Sequence, residues 1–361
     1  MGAYDADKAG RHYESLSLLQ KGLQPYPVHV QLIPTDYCNQ DCGFCAYRSS
    51  NYDGNPLFKI IEADGTVNHN PRRSIPWEKM QEIISDCGKM GVKAILLTGG
   101  GEPTLYREFP QLLRKIQEVG IDFAVQSNGV LAGKDSLKGL REAAWLRFSI
   151  DSGTAATYAF VRRVVKAEFE LVWRNVQKLA AVPNRVQTIG VGYVVTKENH
   201  EEIFLAAKRA VESGVDNIRI SAALQSDHDR YYDGILEKIE EQLAATLELQ
   251  SDSFQVFNNF TLRYSDLVLG SPDYTRCGYM NFTTYIGGDQ KVYTCCMNAY
   301  NKKGEIGSVE KIGFKELWDS PEKQEFFRRF DAHNCSRCMF NNRNRAIEKI
   351  LLPTKSHENF V

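Results

Sequence analysis

The 361-residue chain carries 44 Lys plus Arg against 45 Asp plus Glu, a net charge of -1, with 43% hydrophobic residues and nine cysteines. At about 150 residues per domain this is one large domain or two modest ones, and the near-neutral balance excludes a disordered chain and points away from nucleic acid or acidic lipid as partner. No window approaches ~18 consecutive apolar residues, and Asp5 and Asp7 stand where a secretory signal would be basic. The expected compartment is therefore the cytoplasm. There an odd set of nine cysteines does not read as a disulfide framework.

In chain order, His29 to Ile33 reads as a strand that runs straight into Cys38, Cys42 and Cys45. A polar stretch from about Tyr47 to Arg73 follows, a candidate substrate or partner lid weighed against an ordinary surface loop. Trp77, Met80, Ile84 and Cys87 then share one face of a helix opened by Pro76, which makes Cys87 a core residue. Ala94 to Thr98 is a continuously apolar strand, the pattern of a parallel strand covered on both faces, and it ends in Gly99-Gly100-Gly101-Glu102-Pro103. Further strands are expected at Ile121 to Gln126, Trp145 to Asp151, Val186 to Val195 and Val215 to Ser221, six in all.

Helices separate these strands. Phe169, Val172, Val176 and Leu179 share a face, and Asn199 with Glu202 resembles a capping box ahead of Ile203, with Gly214 as the stop. Alternation of strand and helix predicts βαβ units and a parallel sheet curled into a full or partial barrel, with its chemistry at the carboxyl ends of the strands. A long helix from about Tyr232 to Leu249 closes this unit, and we place a boundary near residue 252. Beyond it, Thr283 to Ile286, Gly287-Gly288-Asp289-Gln290 and Lys291 to Thr294 predict a hairpin. A second cysteine group, Cys277, Cys295, Cys296, Cys335 and Cys338, lies in this part of the chain.

Cys38, Cys42 and Cys45 have Cys-x3-Cys-x2-Cys spacing on a loop. Three such thiolates hold three irons of a four-iron cluster and leave the fourth open, whereas a zinc site would complete four protein ligands. This motif, with Phe44 before its last cysteine, resembles the signature of the radical S-adenosylmethionine (radical SAM) enzymes. Gly100, Gly101 and Glu102 stand where that family has a Gly-Gly-Glu turn for the methionine amino group. Glycines admit a close ligand, and a carboxylate offers charge-assisted bonds to an ammonium. Ser127-Asn128-Gly129 and Ser149-Ile150-Asp151 are similar to the family's Thr-Asn-Gly and Ser-x-Asp stretches. The resemblance implies cofactor contacts at Phe44, Ser127, Asn128, Ser149 and Asp151, against turn chemistry or simple loop packing as the plainer readings. Arg162 or Arg163 is a candidate to reach the active site, against a solvated helix charge as the plainer reading.

Cys277, Cys295, Cys296, Cys335 and Cys338 resemble the auxiliary-cluster domain called SPASM in its long form and twitch in its short form, against a four-cysteine zinc knuckle as alternative. The resemblance implies one auxiliary cluster on Cys277, Cys335, Cys338 and one of the adjacent pair. The likeness of Asp289 to Cys295 to the family's Asp-Gly-x-Val-Tyr-Pro-Cys turn favours Cys295, but Gln290 and Thr294 replace Gly and Pro, and the choice stays open. Cys296, if not a ligand, is the candidate catalytic hydrogen-atom donor to a substrate radical, with a buried spare thiol as the plainer reading.

The resemblance thus implies an α/β chain: an N-terminal extension at 1–27, a partial (β/α)6 radical SAM barrel at 28–252, a small α+β twitch/SPASM-like domain at 253–345 and a tail at 346–361. It implies two [4Fe-4S] clusters, one binding S-adenosylmethionine and one auxiliary, and reductive cleavage to a 5'-deoxyadenosyl radical that takes hydrogen from an unactivated C-H bond. A fully ligated auxiliary cluster favours net oxidation, such as dehydrogenation or cross-linking. The alternatives are epimerisation or redox-neutral rearrangement with Cys296 as donor and, in another class, a non-catalytic zinc or iron-sulfur scaffold or electron carrier. Expected partners are a small-molecule or peptide substrate and a low-potential donor such as flavodoxin or ferredoxin, with neither nucleic acid nor membrane. The few residues before the first strand tilt the substrate toward a small molecule.

Overall fold

The computed structural model describes residues 5–48, 54–185, 187–225 and 230–351. Helix α1 (Tyr13–Gln20) precedes strand β1 (His29–Leu32), and a small hairpin of β2 (Ile60–Ile61) and β3 (Val67–Asn68) stands apart from the main sheet. Then come α2 (Trp77–Lys89), β4 (Ala94–Leu97), α3 (Phe109–Val119), β5 (Asp122–Ser127), β6 (Trp145–Ser149), α4 (Ala155–Arg162), α5 (Ala167–Ala180), β7 (Thr188–Val195), α6 (Ile203–Glu212) and β8 (Asn217–Ala222). The six expected strands are all present and pair in parallel in the order β1-β4-β5-β6-β7-β8. Helix α7 (Leu236–Leu247) is shorter than expected. Gly234, at φ +79°, interrupts the chain before it, and Tyr232 is held instead against Phe260 and Tyr264.

A seventh parallel strand, β9 (Gln255–Asn258), extends the sheet beyond β8. Four residues with only Val256 buried leave too little periodicity to mark a strand in advance. After α8 (Phe260–Leu269), the expected hairpin forms from β10 (Thr283–Ile286) and β11 (Lys291–Tyr293), and β12 (Glu305–Ser308) adds a third antiparallel strand. Strand β10 pairs in parallel with β1, so the C-terminal hairpin continues the same ten-stranded sheet. Helices α9 (Phe314–Asp319), α10 (Pro321–Arg329) and α11 (Asn341–Leu351) complete the described chain. None of the described helices is long and apolar enough to cross a membrane.

The helix-covered face of the sheet is a continuous apolar core. Met80, Ile84 and Cys87 of α2, Leu112 and Ile116 of α3, and Phe169, Val172 and Val176 of α5 pack on Ile95, Val125, Leu146, Phe148, Ile189, Val191, Ile218 and Ile220. The opposite face is different. Parallel pairing aligns Gln126, Arg147, Gly190 and Asn217 in one row and Ser149, Gly192, Arg219 and Phe257 in the next, toward the carboxyl ends. Trp145, Arg147, Ser149, Gly192 and Arg219 are half-buried, while their helix-facing neighbours are fully buried, so solvent reaches the inner face.

The capping box expected ahead of α6 does not form. Asn199 is buried, accepts from the Thr196 amide at 2.6 Å and donates to the carbonyls of Asp151 and Val194. Glu202 turns away to the start of α4, where it accepts from the amides of Gly153 and Thr154 and the hydroxyls of Thr154 and Thr157. A carboxylate at a helix N-terminus is favoured there.

Candidate active site

The loop after β1 is fixed from three sides. On one side is the glycine loop after β4: a Cβ on Gly101 would collide with the backbone of Thr35, Asp36 and Tyr37, and one on Gly100 with the ring of Phe58. The Glu102 amide donates to the Tyr37 carbonyl at 2.9 Å, one residue before Cys38. On the second side, the Cys38 amide donates to Asn70 Oδ1 at 3.0 Å and its carbonyl accepts from Asn70 Nδ2 at 2.9 Å. On the third, the Gly43 amide donates to the carbonyl of Val161 at the end of α4.

Arg162 is the charge at the centre of this arrangement. It is 3% exposed; Nε donates to the Ile150 carbonyl, Nη1 donates to Gln40 Oε1 at 2.6 Å and lies 3.8 Å from Cys42 Sγ, and Nη2 pairs with the Asp151 carboxylate. The plainer reading, a solvated helix charge, therefore fails for Arg162. Only Arg163 fits it, exposed and paired with Asp41 at 2.9 Å. Asp151 sits at φ +58°, accepts from the Val194 amide, and is buried with its partner. Burial raises its carboxyl above the usual range and the Arg162 guanidinium opposes that.

Glu102 is buried, and its carboxylate is already held: Oε1 accepts from the Thr104 amide, the Thr104 hydroxyl and Ser127 Oγ, and Oε2 accepts from the Asn128 amide at 2.7 Å. The structure thus joins Ser127 and Asn128 to Glu102, and Asn128 Nδ2 ties on to Asn39 at 2.8 Å in the cysteine loop. Ser149 lies on the inner row at the end of β6, and Phe44 lies 6.0 Å from the Arg162 guanidinium.

The three thiols interact electrostatically. Burial pushes Cys38 up to about 11 and Cys42 to about 12, each raised further by Cys45, with Arg162 pulling Cys42 down. Among the described residues no three His, Cys, Asp or Glu side chains converge at single-ion spacing. The donor set of three thiols fits the three-thiolate cluster. N-H groups aimed at sulfur, from the Gln40 amide at 3.5 Å and from Arg162, favour the thiolate form that ligation requires.

In the second group burial raises the thiols, and their neighbours add to the rise: Cys338 and Cys335 at Cys277, Cys296, Cys277 and Cys338 at Cys295, and Cys335 at Cys338. Cys335 Sγ accepts from Asn298 Nδ2 at 3.2 Å, and Cys338 Sγ from the Phe340 amide at 3.3 Å and Tyr274 at 3.5 Å. Cys277 and Cys295 pack with Tyr279, Phe282 and Ile347, whereas Cys296 packs with Tyr285, Tyr293 and Tyr300. Cys296 adds to the rise at its neighbour Cys295, while Arg263, Arg343 and Arg219 oppose the burial that raises Cys296 itself. Gln290 adopts φ +60°, the left-handed region glycine favours, so the hairpin turn forms without glycine at that position.

Residues not singled out in advance connect the two groups. Asp36, two residues before Cys38, takes the Arg73 Nε at 2.8 Å and the Tyr300 hydroxyl, and burial pushes its carboxyl up to about 6. Phe58, fully buried, packs edge-on against Tyr300 at 5.0 Å. The described part of the polar insert is therefore built into the junction between barrel and hairpin through Phe58, Asn70 and Arg73. Residues 49–53 of the insert lie outside the described residues.

Fold and site together define a parallel α/β barrel with a three-thiol loop and a glycine-glutamate turn at one strand end, joined to a cysteine-rich C-terminal domain. A family model for the radical SAM superfamily matches residues 32–210, and one for the SPASM iron-sulfur cluster-binding domain matches 277–339. The chain belongs to the radical SAM superfamily and carries a SPASM domain; its cofactors are S-adenosylmethionine and [4Fe-4S] clusters. It is 29% identical over 171 residues to the tungsten-containing aldehyde ferredoxin oxidoreductase cofactor-modifying protein of Pyrococcus furiosus, covering 43% of this chain and 46% of that one. It is 28% identical over 193 residues to a probable GTP 3',8-cyclase of Sulfolobus acidocaldarius, covering 53% of this chain and 54% of that one. The match thus spans about half the length of these relatives. Among solved structures, Streptococcus suis SuiB bound to the precursor peptide SuiA shares the fold at TM-score 0.61 and 15% identity, covering 90% of this chain and 73% of that chain. Native anSMEcpe with bound AdoMet does so at 0.53 and 15% identity, covering 89% and 96%.

Proposed function

We propose that this protein cleaves S-adenosylmethionine reductively and removes hydrogen from an unactivated C-H bond of a small-molecule or peptide substrate, with net oxidation assisted by the auxiliary cluster. The observation that carries the reading is the contact between the two loops, where the Glu102 amide donates to the carbonyl before Cys38 while its buried carboxylate acts electrostatically on Cys38. Cys38, Cys42 and Cys45 would hold the first cluster, and Cys277, Cys295, Cys335 and Cys338 the second. Bound there, the first cluster and its cofactor would supply a one-electron cleavage that yields a 5'-deoxyadenosyl radical. The chain's own part is positional. Gly100 and Gly101 let the turn close against Phe58 and the cysteine loop, Glu102 Oε2 has one donor and retains acceptor capacity, and Ser149 lies on the inner row at the end of β6. The expected setting is the cytoplasm, with a flavodoxin or ferredoxin as electron source.

A second reading, redox-neutral chemistry with Cys296 as hydrogen donor, is favoured by the packing of Cys296 against Tyr285, Tyr293 and Tyr300 rather than in the cluster that holds Cys277 and Cys295. The test of hydrogen abstraction is a screen of candidate deuterated substrates under anaerobic reducing conditions. Deuterium in released 5'-deoxyadenosine is expected for the true substrate. Solvent-derived hydrogen in the product, lost in Cys296→Ala, would shift the assignment to the second reading. Absence of transfer across a broad metabolite and peptide set, with the cofactor still cleaved, would overturn abstraction from either class.

A further inference from the structure

Hydrogen bonds to thiolate sulfur do two things in an iron-sulfur site: they orient the ligands, and they favour the state that carries more negative charge, which is the reduced one. The C-terminal cysteine group draws such donors from separate parts of the chain. Asn298 is buried, and its Nδ2 donates to Cys335 Sγ at 3.2 Å across 37 residues. Its place is made by Gly304, where a Cβ would collide with Asn298 Cβ. The Asn298 amide also donates to the Cys295 carbonyl, so this one residue joins two members of the ligand group. Cys277 takes bonds from the Met280 amide and the Asn344 side chain, and Cys338 Sγ accepts from the Phe340 amide at 3.3 Å.

Tyr274 is held so that its proton has two destinations. Asn344 Nδ2 donates to its hydroxyl oxygen at 2.9 Å, and that hydroxyl lies 2.9 Å from Asn341 Oδ1 and 3.5 Å from Cys338 Sγ. Asn341 is fixed in turn by donating to Asp266 Oδ1 at 2.9 Å. A hydroxyl with one proton and two acceptors favours the one that carries more negative charge. Charge added at the Cys338 sulfur therefore strengthens the bond from Tyr274 at the expense of Asn341.

We propose that Asn298 and Tyr274 raise the reduction potential of the auxiliary cluster through their hydrogen bonds to Cys335 and Cys338, and so fit it to accept an electron. Both are positioning residues, since they touch ligand sulfurs and not the substrate. The inference rests on the function proposed above for the use made of that electron, but not for the potential itself.

The experiment is a redox titration of the reconstituted protein with dithionite, without S-adenosylmethionine or substrate, followed by electron paramagnetic resonance. Each cluster takes one electron from dithionite, and no bond breaks. The signal lost in Cys335→Ala identifies the auxiliary cluster. Tyr274→Phe removes one hydroxyl and keeps the ring, and Asn298→Ala removes the side-chain amide. Each should make reduction of the auxiliary cluster about tenfold less favourable, a fall of about 59 mV for one electron. The first cluster, in the same sample, should keep its potential. Iron content checks that each variant is loaded, and if Asn298→Ala binds less iron than wild type, Tyr274→Phe decides alone. An unchanged auxiliary potential in fully loaded Tyr274→Phe would overturn the proposal. Equal falls at both clusters would overturn it too, because they mark a general disturbance rather than a lost bond to sulfur. Because the titration contains no S-adenosylmethionine, failure to cleave the cofactor would sink the functional reading while leaving these potentials standing, and the reverse holds equally.

Discussion

Replacing Arg162 with Met tests whether the buried Arg162–Asp151 pair organises the barrel mouth. Both side chains are almost wholly out of water, at 3% and 1% exposed, and Asp151 has as other donor the Val194 amide. Loss of the guanidinium leaves a buried carboxylate without its counter-charge, which costs about 3–5 kcal/mol, and also removes donors to Gln40 and Ile150. Against a total stability of about 5–15 kcal/mol, and with an unfolding entropy of about 2.1 cal/mol/K per residue, this is a melting-point drop of roughly 4–7 °C. Asp151→Asn in the same background removes the stranded charge, keeps an acceptor for Val194 and tolerates the positive φ, so the double variant should recover half or more of the loss. The assay is anaerobic thermal and urea unfolding of the iron-free protein at pH 7 for the wild type, both single variants and the double. A loss below about 1 kcal/mol in Arg162→Met, or strict additivity in the double variant, would refute the reasoning.

Three further outcomes follow from the same geometry. Gly101→Ala would drive a Cβ into the backbone of Thr35 to Tyr37, so the reconstituted protein should lose the signal of the first cluster and retain that of the second; a full complement of iron would contradict the fit of the two loops. Cys295→Ala should abolish the auxiliary cluster's paramagnetic signal and Cys296→Ala should spare it, and the opposite pattern would exchange their roles. Lys323 is buried against the rings of Trp318 and Phe327, and burial pulls its pKa down to about 8 from 10.5. A depressed folded value means stability present above about 10.5 and lost as pH falls through about 8, so Lys323→Met should be more stable than wild type by about 1–3 kcal/mol at pH 7. That advantage should shrink between pH 8 and 10.5; unfolding curves in which it grows with pH would reverse the sign.

What could be read in advance was the chemistry carried by neighbours in the chain. Cys38, Cys42 and Cys45 lie within eight residues, the glycine-glutamate turn is contiguous, and each of the six strands has its own apolar run. The unread parts depend on partners far apart in sequence. Asn70 clamps Cys38 from 32 residues away, Tyr300 reaches Asp36 from 264, and Arg162 reaches Gln40 from 122. A polar insert shows no pattern that marks two of its side chains as supports for a cysteine loop. Arg162 had a faint signal, since Tyr158, Val161 and Arg162 share the buried side of a short helix that follows the Ser149 to Asp151 strand end. Glu202 misled for a physical reason: its spacing from Asn199 suits a capping box, but tertiary contact offers it four donors at the start of α4.

The account stands most directly on reductive cleavage of S-adenosylmethionine at the Cys38, Cys42 and Cys45 loop. Anaerobically reconstituted protein should hold about eight irons, four for each cluster. With dithionite and S-adenosylmethionine it should release 5'-deoxyadenosine and methionine. Cys42→Ala should release neither, and Cys335→Ala should lose only the second cluster. Two tightly held zinc ions, or an iron-loaded wild type that leaves S-adenosylmethionine intact under a low-potential reductant, would contradict it.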